Sequence, residues 1–171
     1  MIAEQLVERT RDLILKQIKD NIASALTVIR SDRADSKVTT EPPRQYLIYS
    51  PAFTYQCPAV FTIVDSADFR DEQDGQNYLS ASVKIFVSVV VEDKDQVSLT
   101  IKTERYQAAL FRLLHRVHLL STSGDLKLYS RVVRAEFSPL FTKDGELTKA
   151  MNVFRKEVAL QLDVRHFENP S

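Results

Sequence analysis

Glycine is the scarcest structural signal in this 171-residue chain, with three residues, Gly75, Gly124 and Gly145, spaced 49 and 21 positions apart. Phosphate-cradling loops of the P-loop and dinucleotide types need closely spaced glycines so that backbone N–H groups can approach the phosphates, and this spacing excludes both. The same scarcity excludes a nucleophile elbow of the Gly-x-Ser-x-Gly type. Cysteine is limited to Cys57, which removes an internal disulfide and any cysteine-rich zinc site and suits a reducing compartment. Charge of one sign is lacking as well. The 23 basic and 23 acidic side chains cancel, whereas a nucleic-acid binder driven by counterion release needs clustered Lys and Arg. No apolar run approaches the roughly 18 to 20 residues that span a bilayer. Met1 leads straight into charged helical sequence, so neither a signal peptide nor a membrane span is expected.

What is present is an ordinary globular composition, 44% hydrophobic and 27% charged, sized for a single domain over residues 1–171 that buries a core without covalent staples. The most informative stretch begins after Tyr78. Ala81, Val83, Ile85, Val87, Val89 and Val91 occupy alternate positions, while Ser80, Ser82, Lys84 and Ser88 fall between them. That period of two predicts one long strand with a core face and a polar face. Upstream, Val7, Ile14, Leu15, Ile18, Ile22, Ala25, Leu26 and Ile29 recur at three- and four-residue steps and predict a long amphipathic helix from about Ala3 to Arg30. Residues 30–44, closing on Pro42 and Pro43, read as a connector with little chemistry of its own. Tyr46 to Tyr49 and Ala59 to Val64 are shorter strand candidates. The second of these is expected to form a hairpin with the long strand, residues 65–77 being its extended tip.

Past the polar turn Glu92 to Asp95 the period returns to 3.6. Leu99, Tyr106, Leu110, Leu113, Leu114 and Val117, with Thr103, predict a second helix from about Val97 to Leu120, ended at Gly124 by a left-handed cap. Two more strands are expected near Leu126 to Phe137 and Lys149 to Phe167, joined by a turn holding Pro139 and Asp144-Gly145. The fold class is therefore α+β: a mainly antiparallel sheet of about five strands, with two long helices packed on one face.

No constellation carries chemistry. The tip holds Asp65, Asp68, Asp71, Glu72 and Asp74 against Arg70 alone. A calcium loop fails there, because counting back from Gly75 puts Arg70 at the first ligand position. A solvated tip and a polar interface stay open as its readings. His115 and His118 are close enough to share a helix face, but two imidazoles fall short of the three protein ligands zinc wants. Cys57 beside Pro58, with no helix N-terminus predicted behind it, reads as a small buried thiol rather than a nucleophile. The second helix is locally basic, with Lys102, Arg105, Arg112 and Arg116 against Glu104. An acidic tip and a basic helix on a neutral chain suggest head-to-tail self-association, in which Asp68, Asp71, Glu72 and Asp74 of one copy meet Arg105, Arg112 and Arg116 of the next.

The run Ser82-Val83-Lys84-Ile85-Phe86-Val87-Ser88-Val89-Val90-Val91-Glu92-Asp93, leading into Thr103-Glu104-Arg105-Tyr106-Gln107-Ala108-Ala109-Leu110, resembles the tail-terminator and tail-completion (neck) proteins of tailed bacteriophages. The likeness is carried by element order: long helix, extended hairpin, short acidic turn, helix, two long closing strands. The resemblance implies a structural virion protein, made in the bacterial host cytoplasm, that assembles as a ring, commonly a hexamer. Such a ring caps the tail tube, joins it to the neck or connector, and leaves a lumen through which double-stranded DNA passes passively. It implies no enzyme activity, no active-site residues and no cofactor. A head-completion or adaptor ring is the nearest alternative. A small enzyme or ligand-binding domain with a dispersed site is the alternative from another class, and a nucleic-acid-binding module would require salt-sensitive binding.

Overall fold

The structure, a computed structural model, describes residues 5–33, 38–49, 55–71, 79–142 and 153–167. The first helix, α1 (Leu6–Arg33), buries Leu6, Thr10, Ile14, Ile18, Ile22, Ala25, Leu26 and Ile29 along one stripe. It runs three residues past the expected end, so the connector starts later than its residue 30. A short β1 (Gln45–Leu47) lies parallel to the start of β2 (Ala59–Asp71). Strand β2 pairs antiparallel with β3 (Leu79–Asp93) along nearly its whole length.

The expected extent of the hairpin tip needs correction. Residues 65–71 are strand rather than tip, because a bulge at Asp65, between Val64 and Ser66, restarts the ladder and carries it to Asp71 opposite Leu79. A bulge bends a strand and re-aims the residues beyond it, so a polar stretch without clean alternation can still pair. Glu72 and Asp74 lie outside the described residues, as does the side chain of Asp71.

Helix α2 (Gln96–Leu114) starts where Asp95, extended at φ −100° and ψ 122°, accepts a hydrogen bond from the Ser98 N–H at 2.7 Å. This N-cap satisfies one of the four orphan donors of the first turn. The helix ends six residues before the expected Leu120. His115 is extended, and Arg116 sits at φ 56°, in the left-handed region that breaks helical propagation. Val117–Leu120 becomes β4, pairing antiparallel with β5 (Lys127–Phe137), and Leu119 and Leu128 meet as a buried pair. Strand pairing here completes the core with Leu119, which a continued helix would not. Gly124, at φ 73°, belongs to the β4–β5 turn and not to the helix end.

Strand β7 (Phe154–Phe167) inserts between β3 and β5, antiparallel to both, and β6 (Phe141–Thr142) pairs with β7 in line with β5. The sheet order is β1-β2-β3-β7-β5-β4 with β6 beside β7. It is mainly antiparallel, made mixed by the parallel pair β1–β2, and β4 and β6 exceed the expected five strands. Of the expected last strand, residues 149–152 lie outside the described residues.

Both helices cover one face. Ala81, Val83, Ile85, Val87, Val89 and Val91 of β3 and Val158, Leu160, Leu162 and Val164 of β7 join the helix stripes, including Leu99, Tyr106 and Leu110, in one core. Burying a full aliphatic side chain stabilises by about 1.5 to 3 kcal/mol, so this single layer dominates the fold. No helix among the described residues is long and apolar enough to cross a membrane.

Candidate interaction surface

The opposite face of the sheet has no helix over it among the described residues. Directly opposed residues of antiparallel strands share a face, so the registers set out rows across it. One row reads Ser66, Lys84, Asp163, Arg131, and the row beyond it Asp68, Ser82, Arg165, Tyr129. Asp163 anchors this area. It accepts a hydrogen bond from the Ser82 hydroxyl at 2.6 Å, with Arg165 at 3.4 Å and Arg131 at 3.6 Å. Arg116, turned out of the helix by its positive φ, joins Tyr129, Arg131, Asp163 and Arg165 around a shallow depression of about 300 Å³. Three guanidinium groups against one carboxylate make this patch of the face basic.

At the foot of the same face, a small second cluster of Cys57, Ala59, Phe61 and Val90 is buried beneath Tyr55 and Phe141. Arg155, nearly fully buried, donates to Glu92 at 3.1 Å and lies over the Tyr55 ring at 4.6 Å. The guanidinium is thus paired and stacked, which offsets the cost of its burial. Burial pushes the Cys57 thiol up to about 12, the nearby Arg155 charge opposing only part of the rise. A thiol so raised holds almost no thiolate at neutral pH, in keeping with the expected inert, buried cysteine.

The three basic residues expected on one face of the second helix, Arg105, Arg112 and Arg116, do not share a surface. Arg105 is buried, not exposed on a basic helix face; it donates through Nη1 to the Val38 carbonyl. Tyr106 beside it donates to the Glu41 carbonyl. These two contacts tie residues 38–41 to α2, so this part of the expected connector is a strap packed on the helix. Arg112 remains exposed on the last turn of α2, whereas Arg116 belongs to the sheet-face patch. The histidines are separated too: His115 stacks on Phe111 at 4.3 Å, and His118, on β4, lies against Tyr129 at 5.0 Å. No group of three or more metal-ligating side chains occurs among the described residues. Asp68 is exposed on β2.

Sequence reasoning missed Arg131, Arg134, Asp163 and Arg165. Their signal was the alternation within Leu126 to Phe137 and within the last strand, where charged residues fall between the apolar positions.

No protein-family model matches the chain, and no curated protein sequence matches it. Among solved structures, it is similar to a chain of an assembly described as "Virion of native gene transfer agent (GTA) particle", with 12% identity, a TM-score of 0.45, and coverage of 91% of this chain and 93% of that one. A likeness of that strength assigns neither family nor function.

The sheet's lateral edges complete the surface. Strand β1 pairs only with Ala59–Phe61 and β4 only with Lys127–Ser130. The outer backbone of β2 from Thr62 to Asp71, and that of β5 from Arg131 to Phe137, therefore has no strand partner among the described residues. Unpaired edges of this kind are templates for another chain.

Proposed function

We propose that this chain is a structural virion protein of a tailed phage, whose copies form a ring that terminates the tail tube and joins it to the head–neck connector. In the resembled family the ring is commonly a hexamer, and double-stranded DNA passes through its lumen without being gripped. The observation that supports this reading is the order of elements. The long helix α1, the antiparallel pair β2–β3, the helix α2 and the long strands β5 and β7 follow in that order on one sheet, with the short β1, β4 and β6 between them, and this is the order on which the resemblance rests. Its partners are other copies of itself, the tail tube and the neck proteins; its place is the assembled particle, after synthesis in the host cytoplasm. No cofactor enters the reading.

The test is electron microscopy and sedimentation of the purified full chain, alone and with isolated tail tubes. Closed rings, and capping at one end of the tubes, are the expected result. A subunit that stays monomeric at every concentration, ignores tail tubes and turns over a small molecule would overturn it.

A further inference from the structure

The two open edges differ in charge. Along β2 the open segment carries Asp65, Asp68 and Asp71 against Arg70, while β5 carries Arg131 and Arg134 against Glu136. Two copies joined through like edges would set acid against acid or base against base, which is destabilising for directly opposed pairs. Unlike edges attract. A bulge and charged side chains on an edge ordinarily guard against indiscriminate pairing. Here the opposite signs leave one pairing open and close the two others.

We propose that β2 of one copy pairs antiparallel with β5 of the next, continuing the sheet from subunit to subunit. This rests on the ring reading above and names its joint. The directions agree: β2 and β7 both run antiparallel to β3, and β5 runs antiparallel to β7, so a copy set alongside in the same orientation brings β5 antiparallel to β2. The partial covers β1 and β4 sit at opposite ends of their edges, so the neighbours are staggered along the strands. Stagger of this kind accompanies closure of a sheet into a barrel or ring.

A stagger that brings Arg134 level with Asp68 makes one charge pair on the outer face and an apolar match along the inner face. On the outer face the guanidinium meets the carboxylate. On the inner face, with the bulged residues Val133 of β5 and Asp65 of β2 each passed over, Val132 falls beside Phe69, Ala135 beside Ala67, and Phe137 beside Val64. Phe69 and Phe137 are 51% and 46% exposed in the single subunit, and this joint gives each an apolar neighbour. Arg131, level with Arg70 in this register, lies 3.6 Å from Asp163, the carboxylate it shares with Arg165. In the single subunit Arg134 is exposed and, among the described residues, its ion pair is with the exposed Glu136 two residues away, a surface contact that a partner's carboxylate can replace.

The joint is heterologous, and such contacts close into rings or run on as filaments. The experiment compares the wild-type full chain with Asp68→Arg, Arg134→Glu and the swapped double variant Asp68→Arg/Arg134→Glu by sedimentation velocity and electron microscopy. Each single variant should lose the ring, and the swapped variant should regain it. Both side chains are exposed, so circular dichroism and thermal unfolding should be unchanged and will expose any folding failure. A separate Asp68→Cys/Arg134→Cys variant, oxidised after assembly, should yield a covalent ladder of subunits. Wild-type rings with unaltered single variants and no ladder would overturn this joint while leaving the ring reading in place. Failure of the swap to restore assembly, with no ladder, would overturn the joint as well. A wild-type chain that never assembles removes both.

Discussion

At the scale of single residues, side chains with the same charge do different things according to what lies around them. Arg105, Arg112 and Arg116 looked equivalent on a helical repeat, yet one reaches inward to a backbone carbonyl, one meets solvent, and one sits on the sheet face. Tyr106 shows the same inward use. Burial raises its phenol above the ordinary tyrosine range, with the Glu41 charge adding to the rise, so it stays a neutral donor to the Glu41 carbonyl. Tyr106→Phe keeps the ring in the core and leaves that carbonyl without its donor. We expect a loss of about 1 to 2 kcal/mol, measured by urea unfolding. An unchanged midpoint would show that water replaces the hydroxyl without cost. The aromatic repeat was legible in the sequence because it is local. The strap it holds was not, because Val38 and Glu41 are far away along the chain.

At the scale of elements, the end of α2 and the anchoring of α1 are the decisive features. A non-glycine residue in the left-handed region costs about 1 to 2 kcal/mol, and Arg116 adopts φ 56°. Arg116→Gly should therefore raise the unfolding free energy by up to about 1 kcal/mol once glycine's own entropy is deducted, while Arg116→Val should lower it. Equal stability of the two variants would mean that the turn does not hold this conformation. The start of α1 is pinned to the β4–β5 turn by Arg9, which donates to both Asp125 oxygens at 2.7 and 2.6 Å. That guanidinium, with the Ser123 and Ser121 hydroxyls, holds the Asp125 carboxyl well below the usual carboxylate range. A depressed folded-state value means the stabilisation is complete above the unfolded value of about 3.9 and is lost as pH falls through the folded one. Asp125→Asn should thus be less stable than wild type near neutrality, the difference shrinking as pH drops below about 4. Unfolding curves at a series of pH values will read it, and a constant difference would sink the assignment.

At the scale of the whole molecule, one sheet has a face covered by both helices, a face with no helix over it among the described residues, and two outer edges of unlike charge. Strands β3 and β7 are flanked by partners on both sides and buried beneath the helices, so amides within Val83–Val91 and Val158–Val164 should exchange only with global unfolding. Ser66–Asp71, on the open edge, should exchange faster in the dilute subunit and slow on assembly. Hydrogen-exchange mass spectrometry across a concentration series will measure this, and uniform protection at all concentrations would count against an open edge. Of this architecture, the sequence by itself determined the periodicities: the odd positions of β3, the even positions of β7 and the stripe of α1, since a strand or helix must turn its apolar residues to one side whatever it packs against. It also excluded the glycine-dependent nucleotide loops. Only the tertiary structure decided the strand order, the strand rather than helix at residues 117–120, the inward turn of Arg105, and which edges have no strand partner among the described residues. Each of these depends on which distant segment occupies the neighbouring space, and hydrogen-bond partners and burial are properties of that neighbour as much as of the residue itself.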